Sequence, residues 1–152
     1  AQSQSRENQF RFLFGGFMQL MACSPQELLS IRGIEESVKE APQLKIEIKE
    51  VLHAGVYTRI AIVPENVLLV GALMKVPTTL VVVGRCAMTV NGGTSVADGI
   101  ACFTSPPGRK TVFRTFVPTK LIMSFATKAE TLGQARQEFT DDVLQGEELC
   151  QE

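Results

Sequence analysis

Residues 78–103 read TTLVVVGRCAMTVNGGTSVADGIACF, and this stretch decides the fold. Thr78–Val83 is a nearly continuous apolar run, the pattern of a buried strand. Arg85–Val90 continues as a further strand. Asn91-Gly92-Gly93 supplies residues that accept positive φ, the chemistry of a hairpin turn. Ser95–Phe103 is the returning strand, broken near Asp98-Gly99.

Working outward, the same character holds on both sides. Leu44-Lys45-Ile46-Glu47-Ile48-Lys49 alternates apolar and charged residues, as a half-buried strand does. Val56–Val63 is a strand that places Tyr57 and Arg59 on one face, and Pro64-Glu65-Asn66 is a turn before a strand over Val67–Leu73. Downstream, Ser105-Pro106-Pro107-Gly108 is a loop, followed by strands over Thr111–Val117 and Leu121–Phe125. Short strands separated by Gly and Pro turns about every ten residues indicate a β-sandwich or barrel. A helix flanks the strands at each end. Ser24-Pro25-Gln26-Glu27 carries a cap, a first-turn proline and a capping-box acid, so the first helix is expected over residues 24–39. A short C-terminal helix is expected over Lys128–Phe139. The division that follows is an N-terminal arm and helix (1–43), a β domain (44–127), and a C-terminal helix with an acidic tail (128–152).

The chain of 152 residues is 45% hydrophobic and 20% charged, a globular balance that needs no disulfide to hold a core. Its near-neutral charge hides an asymmetry. Residues 138–152 hold six acids and no base, whereas residues 1–137 hold ten acids and fifteen bases. This reads as a solvated acidic tail on a mildly basic body, or as a tail that docks on a basic partner. The four cysteines form no CxxC pair, and Cys86 and Cys102 fall in strand contexts that suit buried free thiols in a reducing compartment. Phe12–Ala22 (FLFGGFMQLMA) is apolar but too short to span a bilayer. It reads as an arm that packs on its own domain or on a neighbouring subunit.

Gly55-Val56-Tyr57-Thr58-Arg59, Gly71 leading the next segment, and Phe103-Thr104-Ser105-Pro106-Pro107-Gly108 followed by basic residues are similar to small cupin-like proteins of tailed bacteriophages. The resemblance spans Gly55 to about Phe125, roughly half the chain. It implies a mostly-β, cupin-like jelly-roll sandwich or barrel. It also implies metal-binding histidines, and here the sequence departs from the pattern: Met74 and Thr78 stand where ligand histidines are expected, and residues 111–117 contain none. With one histidine in the chain, His53, the imidazole set of a catalytic metal site is missing. No cofactor is expected, and the chain is read as a non-enzyme. His53 reads as a packed or surface side chain. A Ser-His-Asp arrangement using His53 and Asp98 lacks a G-x-S-x-G elbow, and no phosphate or dinucleotide loop occurs.

The resemblance implies a virion component, assembled in the host cytoplasm: a capsid decoration (cement) protein or a part of the tail or neck. Its partners are then other copies of itself and other virion proteins, with no membrane and no nucleic acid. Candidate interface residues are Phe10, Phe12, Phe14 and Phe17 in the arm, Tyr57 and Arg59 as strand anchors, and the basic cluster Arg109, Lys110 and Arg114. The alternatives are a degenerate cupin that binds a small molecule such as a sugar, and a metal-dependent cupin enzyme with unrecognised ligands. Apolar inward positions predict a dry core in place of a ligand cavity.

Overall fold

The computed structural model describes residues 11–12 and 16–144. Its elements in chain order are strands β1 (Arg11–Phe12) and β2 (Gly16–Gln19), helix α1 (Pro25–Val38), strands β3 (Glu47–His53), β4 (Val56–Val63), β5 (Leu68–Val70), β6 (Thr78–Val90), β7 (Gly93–Ser105), β8 (Val112–Thr115) and β9 (Thr119–Ala126), and helix α2 (Leu132–Phe139). Ser24 caps α1 as expected, its hydroxyl accepting from the Glu27 amide. The expected strand at residues 44–49 begins later and runs further, into a hairpin closed by Ala54 and Gly55.

The segments read as separate strands on either side of residue 84 are one strand. β6 pairs with β7 at every position from Thr78↔Ser105 to Val90↔Gly93, around a two-residue turn in which Asn91 and Gly92 take positive φ. The break expected near Asp98-Gly99 is a bend, not an interruption: Gly84 lies opposite Gly99. On its other side β6 changes partner at this bend. Residues 79–83 pair with β9, and residues 86–88 pair with β8. The sheet therefore rolls over on itself.

One half runs β3-β4-β9-β6-β7 and the other β5-β8-β6-β7, with β1 and β2 pairing in parallel along the outer edge of β7. This is a mostly-β, cupin-like jelly-roll sandwich with one helix before and one after the strands. The arm's backbone belongs to the sheet, through Phe12↔Ala97 and Phe17↔Cys102. Phe10 and Phe14 lie outside the described residues. Among the described residues no helix is long and apolar enough to cross a membrane.

Alternation fixes which side chains enter the core. Tyr57, Leu80, Val82, Met88, Phe103, Phe113, Leu121 and Phe125 point between the two halves and are buried. α2 closes one end, placing Phe139 against Tyr57 and Phe125 with ring centroids 5.2–5.8 Å apart. Cys86 is buried, and burial pushes its thiol up to about 11. Cys102 corrects the expectation of a second buried thiol. It alternates with buried Ala101 and Phe103 and is exposed on the outer face of the sheet.

The bend leaves no room for a side chain at residue 84. Its φ is +141°, and a Cβ there would lie 2.6 Å from Thr119 Oγ1 and 2.9 Å from Thr119 Cα. Gly99 also has positive φ, +87°, but a Cβ there meets nothing within 4 Å. We expect Gly84→Ala to cost about 3 kcal/mol, strain and overpacking together. Gly99→Ala should cost about 1 kcal/mol from its backbone conformation alone. Urea denaturation of the two variants measures the difference.

Candidate functional site

Three polar groups of side chains are built into the sandwich, and two of them are internally neutralised. The first centres on Lys110, in the loop between β7 and β8. Its ammonium has no exposed surface and is held by Glu35 Oε2 at 2.7 Å, Asp142 Oδ2 at 3.1 Å and the Gly71 carbonyl at 2.8 Å. Arg32, one turn before Glu35 on α1, donates to Glu35 at 2.9 Å and to Asp142 at 3.1 and 3.3 Å. The Leu73 amide also donates to Asp142, at 2.8 Å. Burial alone raises a carboxyl's pKa, but for Asp142 the Leu73 amide, Arg32 and Lys110 outweigh it and hold the group at about 2. Glu35 is lowered in the same way, burial being outweighed by Lys110 and Arg32.

This arrangement corrects two expectations. Lys110 is not a solvated base at a sheet end, because it lies at the centre of an intramolecular ion cluster. The acidic C-terminal segment is not solvated throughout either: Asp142 docks on Arg32 and Lys110, whereas Asp141, paired with Lys75 at 2.7 Å, stays exposed. Residues 145–152 lie outside the described residues.

The second group centres on Glu50, on the inner face of β3. It accepts from the Tyr57 hydroxyl at 2.7 Å and from Arg136 of α2 at 2.6 and 2.8 Å, with Arg59 at 3.6 Å. Tyr57 was a candidate interface anchor beside Arg59, with a structural place in the strand as the other reading. It is instead fully buried, and burial together with Glu50 raises its phenol. Arg59 does share its face, but that face is the inner one. Glu50 went unrecognised, although Ile46, Ile48, Glu50 and Leu52 share one strand parity and so one face.

The third group is Arg109, 6% exposed, whose Nε donates to Ser105 Oγ at 2.9 Å and Nη1 to Thr111 Oγ1 at 2.7 Å. Burial brings its guanidinium down to about 10, with Cys23 acting in the opposite sense. Arg109 was expected on the surface with Arg114; only Arg114 is exposed, on the outer face of β8. Thr78, the first residue of β6, is buried and its Oγ1 has no hydrogen-bond partner among the described residues.

A cavity of about 140 Å³ lies between the two halves of the sandwich. Ile46, Leu80, Phe113, Leu121 and Met123 form apolar walls, Met74 is among its lining residues, and Arg59, Arg109, Glu35 and Asp142 contribute charge. The core is therefore not filled throughout, although most of the inward positions are apolar as expected. The lining does not fit a divalent metal. It offers a thioether, guanidinium groups and two carboxylates already bound by Lys110 and Arg32, where such an ion needs free imidazole or carboxylate. Among the described residues no group of three His, Cys, Asp or Glu side chains could hold a metal ion. His53 is exposed at the end of edge strand β3, and Asp98 lies on β7 with three strands between, so they form no catalytic pair.

The strand order defines a cupin-like jelly roll, and the cavity between its halves opens to solvent beside Val143. No protein-family model matches the sequence, and no curated protein is similar to it. Solved structures are similar in shape. A cupin superfamily protein from Desulfitobacterium hafniense aligns at 10% identity over 60% of this chain and 86% of its own, with a TM-score of 0.48. An RmlC-like cupin protein from Desulfovibrio desulfuricans aligns at 15% identity over 57% and 90%, with a TM-score of 0.45. A salicylate 1,2-dioxygenase from Pseudaminobacter salicylatoxidans aligns at 12% identity over 75% of this chain and 35% of its own, with a TM-score of 0.49.

Lys110→Met strips Glu35 and Asp142 of the fully buried one of their two shared counter-charges, and we expect a loss of about 3 kcal/mol in urea denaturation. The pH dependence has a definite sign. Asp142 is depressed from its ordinary 3.8, so its contribution is complete above that value and is lost as pH falls through about 2. Glu35 acts in the same direction. Asp142→Asn should flatten the acid limb of the stability curve, measured as denaturation midpoint against pH.

Proposed function

We propose that this chain is a non-catalytic structural protein that works through protein–protein contacts, first of all with copies of itself. The observation that carries this reading is the outer face of the larger sheet half. Antiparallel sheets exposed on one side ordinarily carry polar residues there. Here the register sets Ile60 beside Ile122, Ile122 beside Val81 and Val81 beside Cys102 in one row. The adjacent row runs Ile62, Lys120, Val83, Ile100. Val51 and Ile100 are each more than half exposed, at 54% and 53%. Neither α1 nor α2 covers this face, since both pack elsewhere: α1 contacts β5, and α2 inserts Phe139 among inner-face rings.

An apolar row that runs across four strands of a folded domain, Ile60 to Cys102, marks an interaction surface. A second copy suits it, because Glu47, Lys49 and Lys120 place both signs of charge beside the apolar rows and a two-fold axis can pair them. The parallel addition of β2 to β7 supports the same reading, because it shows a terminal segment already used as a clasp. Within this reading the chain is a bacteriophage virion component, either a capsid decoration (cement) protein or a part of the tail or neck. That finer assignment rests on the sequence resemblance alone.

Light scattering during size-exclusion chromatography tests the contact. The wild type is expected to self-associate at micromolar concentration. Ile60→Lys and Ile122→Lys, each burying a charge in the interface, should weaken association about a hundredfold and leave the fold intact by circular dichroism. A monomeric wild type sinks the self-association. Mass spectrometry of purified phage particles tests the finer claim. A fixed copy number supports it, and absence removes the virion assignment.

A further inference from the structure

We propose that the free edge of β3 pairs with the same edge of a second copy, antiparallel about a two-fold axis at Glu50, so that the larger sheet halves of two chains become one sheet. This inference rests on the reading that the chain associates with copies of itself. It adds a contact along the strand edge, separate from the outer face of the sheet.

The two edges of the larger half are treated differently. The β7 edge carries β1 and β2. The opposite edge is β3, seven residues from Glu47 to His53, and among the described residues no strand lies beyond it. Its ladder with β4 runs residue for residue from Glu47↔Ile62 to His53↔Val56, with no bulge, and the strand contains no proline. The turn at Ala54 and Gly55 fixes which backbone groups that ladder uses. His53 and Val56 close the turn as a hydrogen-bonded pair, and such pairs alternate along an antiparallel ladder. Residues 47, 49, 51 and 53 therefore bond to β4, and the N–H and C=O groups of Ile48, Glu50 and Leu52 point away from the sheet. Among the described residues none of these three meets a backbone partner there. A bare edge of this length is a template for another strand.

Self-complementarity identifies the occupant. With the axis at residue 50, all seven residues of the strand are paired. On the inner face Ile48 meets Leu52 twice, and both are only partly buried in the single chain. On the outer face exposed Glu47 meets exposed His53, a carboxylate against a ring that can donate. Lys49 meets Val51, whose side chain is more than half exposed and is covered by the lysine stem. An inward charge ordinarily protects an edge, but Glu50 is already bound by the Tyr57 hydroxyl and by Arg136, so it brings no bare carboxylate to the axis. Other registers fit less well. An axis at residue 49 sets Lys49 against its own copy, and an axis at 48 or 51 leaves part of the strand without a partner.

Disulfide trapping in an oxidised-glutathione buffer, read by peptide mass mapping, tests the register. In a mixture of Glu47→Cys chains and His53→Cys chains, positions 47 and 53 of different copies lie about 4.5 Å apart between Cα atoms, within disulfide reach. A link between positions 47 and 53 is the expected product. Glu47→Cys chains alone should give no link through position 47, because the two copies of that position lie about 20 Å apart. The link should also form in chains that carry Ile60→Lys, since the edge is a separate contact. Amide exchange of the wild type is the second arm. The Ile48, Glu50 and Leu52 amides should exchange at least about tenfold more slowly at millimolar than at micromolar concentration. Absence of the 47–53 link overturns the pairing, as does a link between two copies of position 49 in Lys49→Cys chains. Equal exchange at both concentrations overturns it too, and so does loss of the link in Ile60→Lys chains. If the link forms while Ile60→Lys leaves association unchanged, the face reading fails and the edge pairing stands.

Discussion

A single close approach holds the two halves of the sandwich in register. At residue 84 the long strand β6 leaves β9 and joins β8, and the chain from β8 to β9 crosses between the halves at the same corner. Gly84 packs on Thr119 and Pro118 there. The Phe116 amide donates to the Arg85 carbonyl at 3.0 Å, and the Thr119 hydroxyl donates to the Val117 carbonyl at 2.8 Å. Two crossings share one corner because one position has no side chain. Moving that corner would shift the register of β6 against β9, turning the apolar rows of β6 from core to solvent. The cavity, the inner aromatic cluster and the apolar outer rows all follow from that register.

Charge completes what the bend begins. α1 makes little contact with the sheet, and its inner residues include only one that is buried, Ile31. It is held by Arg32 and Glu35, which meet Lys110 from the β7–β8 loop and Asp142 from the segment after α2. α2 is held through Arg136 on Glu50. Both helices are thus fastened to the strands by partly or fully buried ion pairs. Such pairs add less to stability than their number suggests, because desolvation offsets the Coulomb attraction, but removing one partner is expensive. They specify where the helices sit.

The elements legible in the sequence are those with local signals. Ser24-Pro25-Gln26-Glu27 marks the start of α1, and Asn91-Gly92 marks the central hairpin. Glycine at 84 and 99 reads as punctuation between strands, because one sequence cannot distinguish a strand that stops from one that bends. The direction of Tyr57 is illegible for a different reason. Val56, Thr58, Ile60 and Ile62 on the opposite parity are equally apolar, so alternation gives two faces that both look like core. The outer apolar face that hides the parity is the face assigned to contacts. The ion cluster leaves no local trace: Arg32 and Asp142 stand 110 positions apart, and nothing in the residues around Lys110 marks it as interior. Arg109 is hidden in the same way.

The parallel pairing of β2 with β7 bears on the order in which the chain is built. The partner residues of β2, 101–104, are synthesised more than eighty positions after it. β2 therefore emerges well before its partner and closes late, since a parallel pairing of such long sequence separation waits until the β6–β7 hairpin exists. During that interval β2, Gly16–Gln19, has no strand to join. A newly made chain is then exposed to wrong pairing at β2, and the free edge of β7 on another unfinished copy is the matching wrong partner.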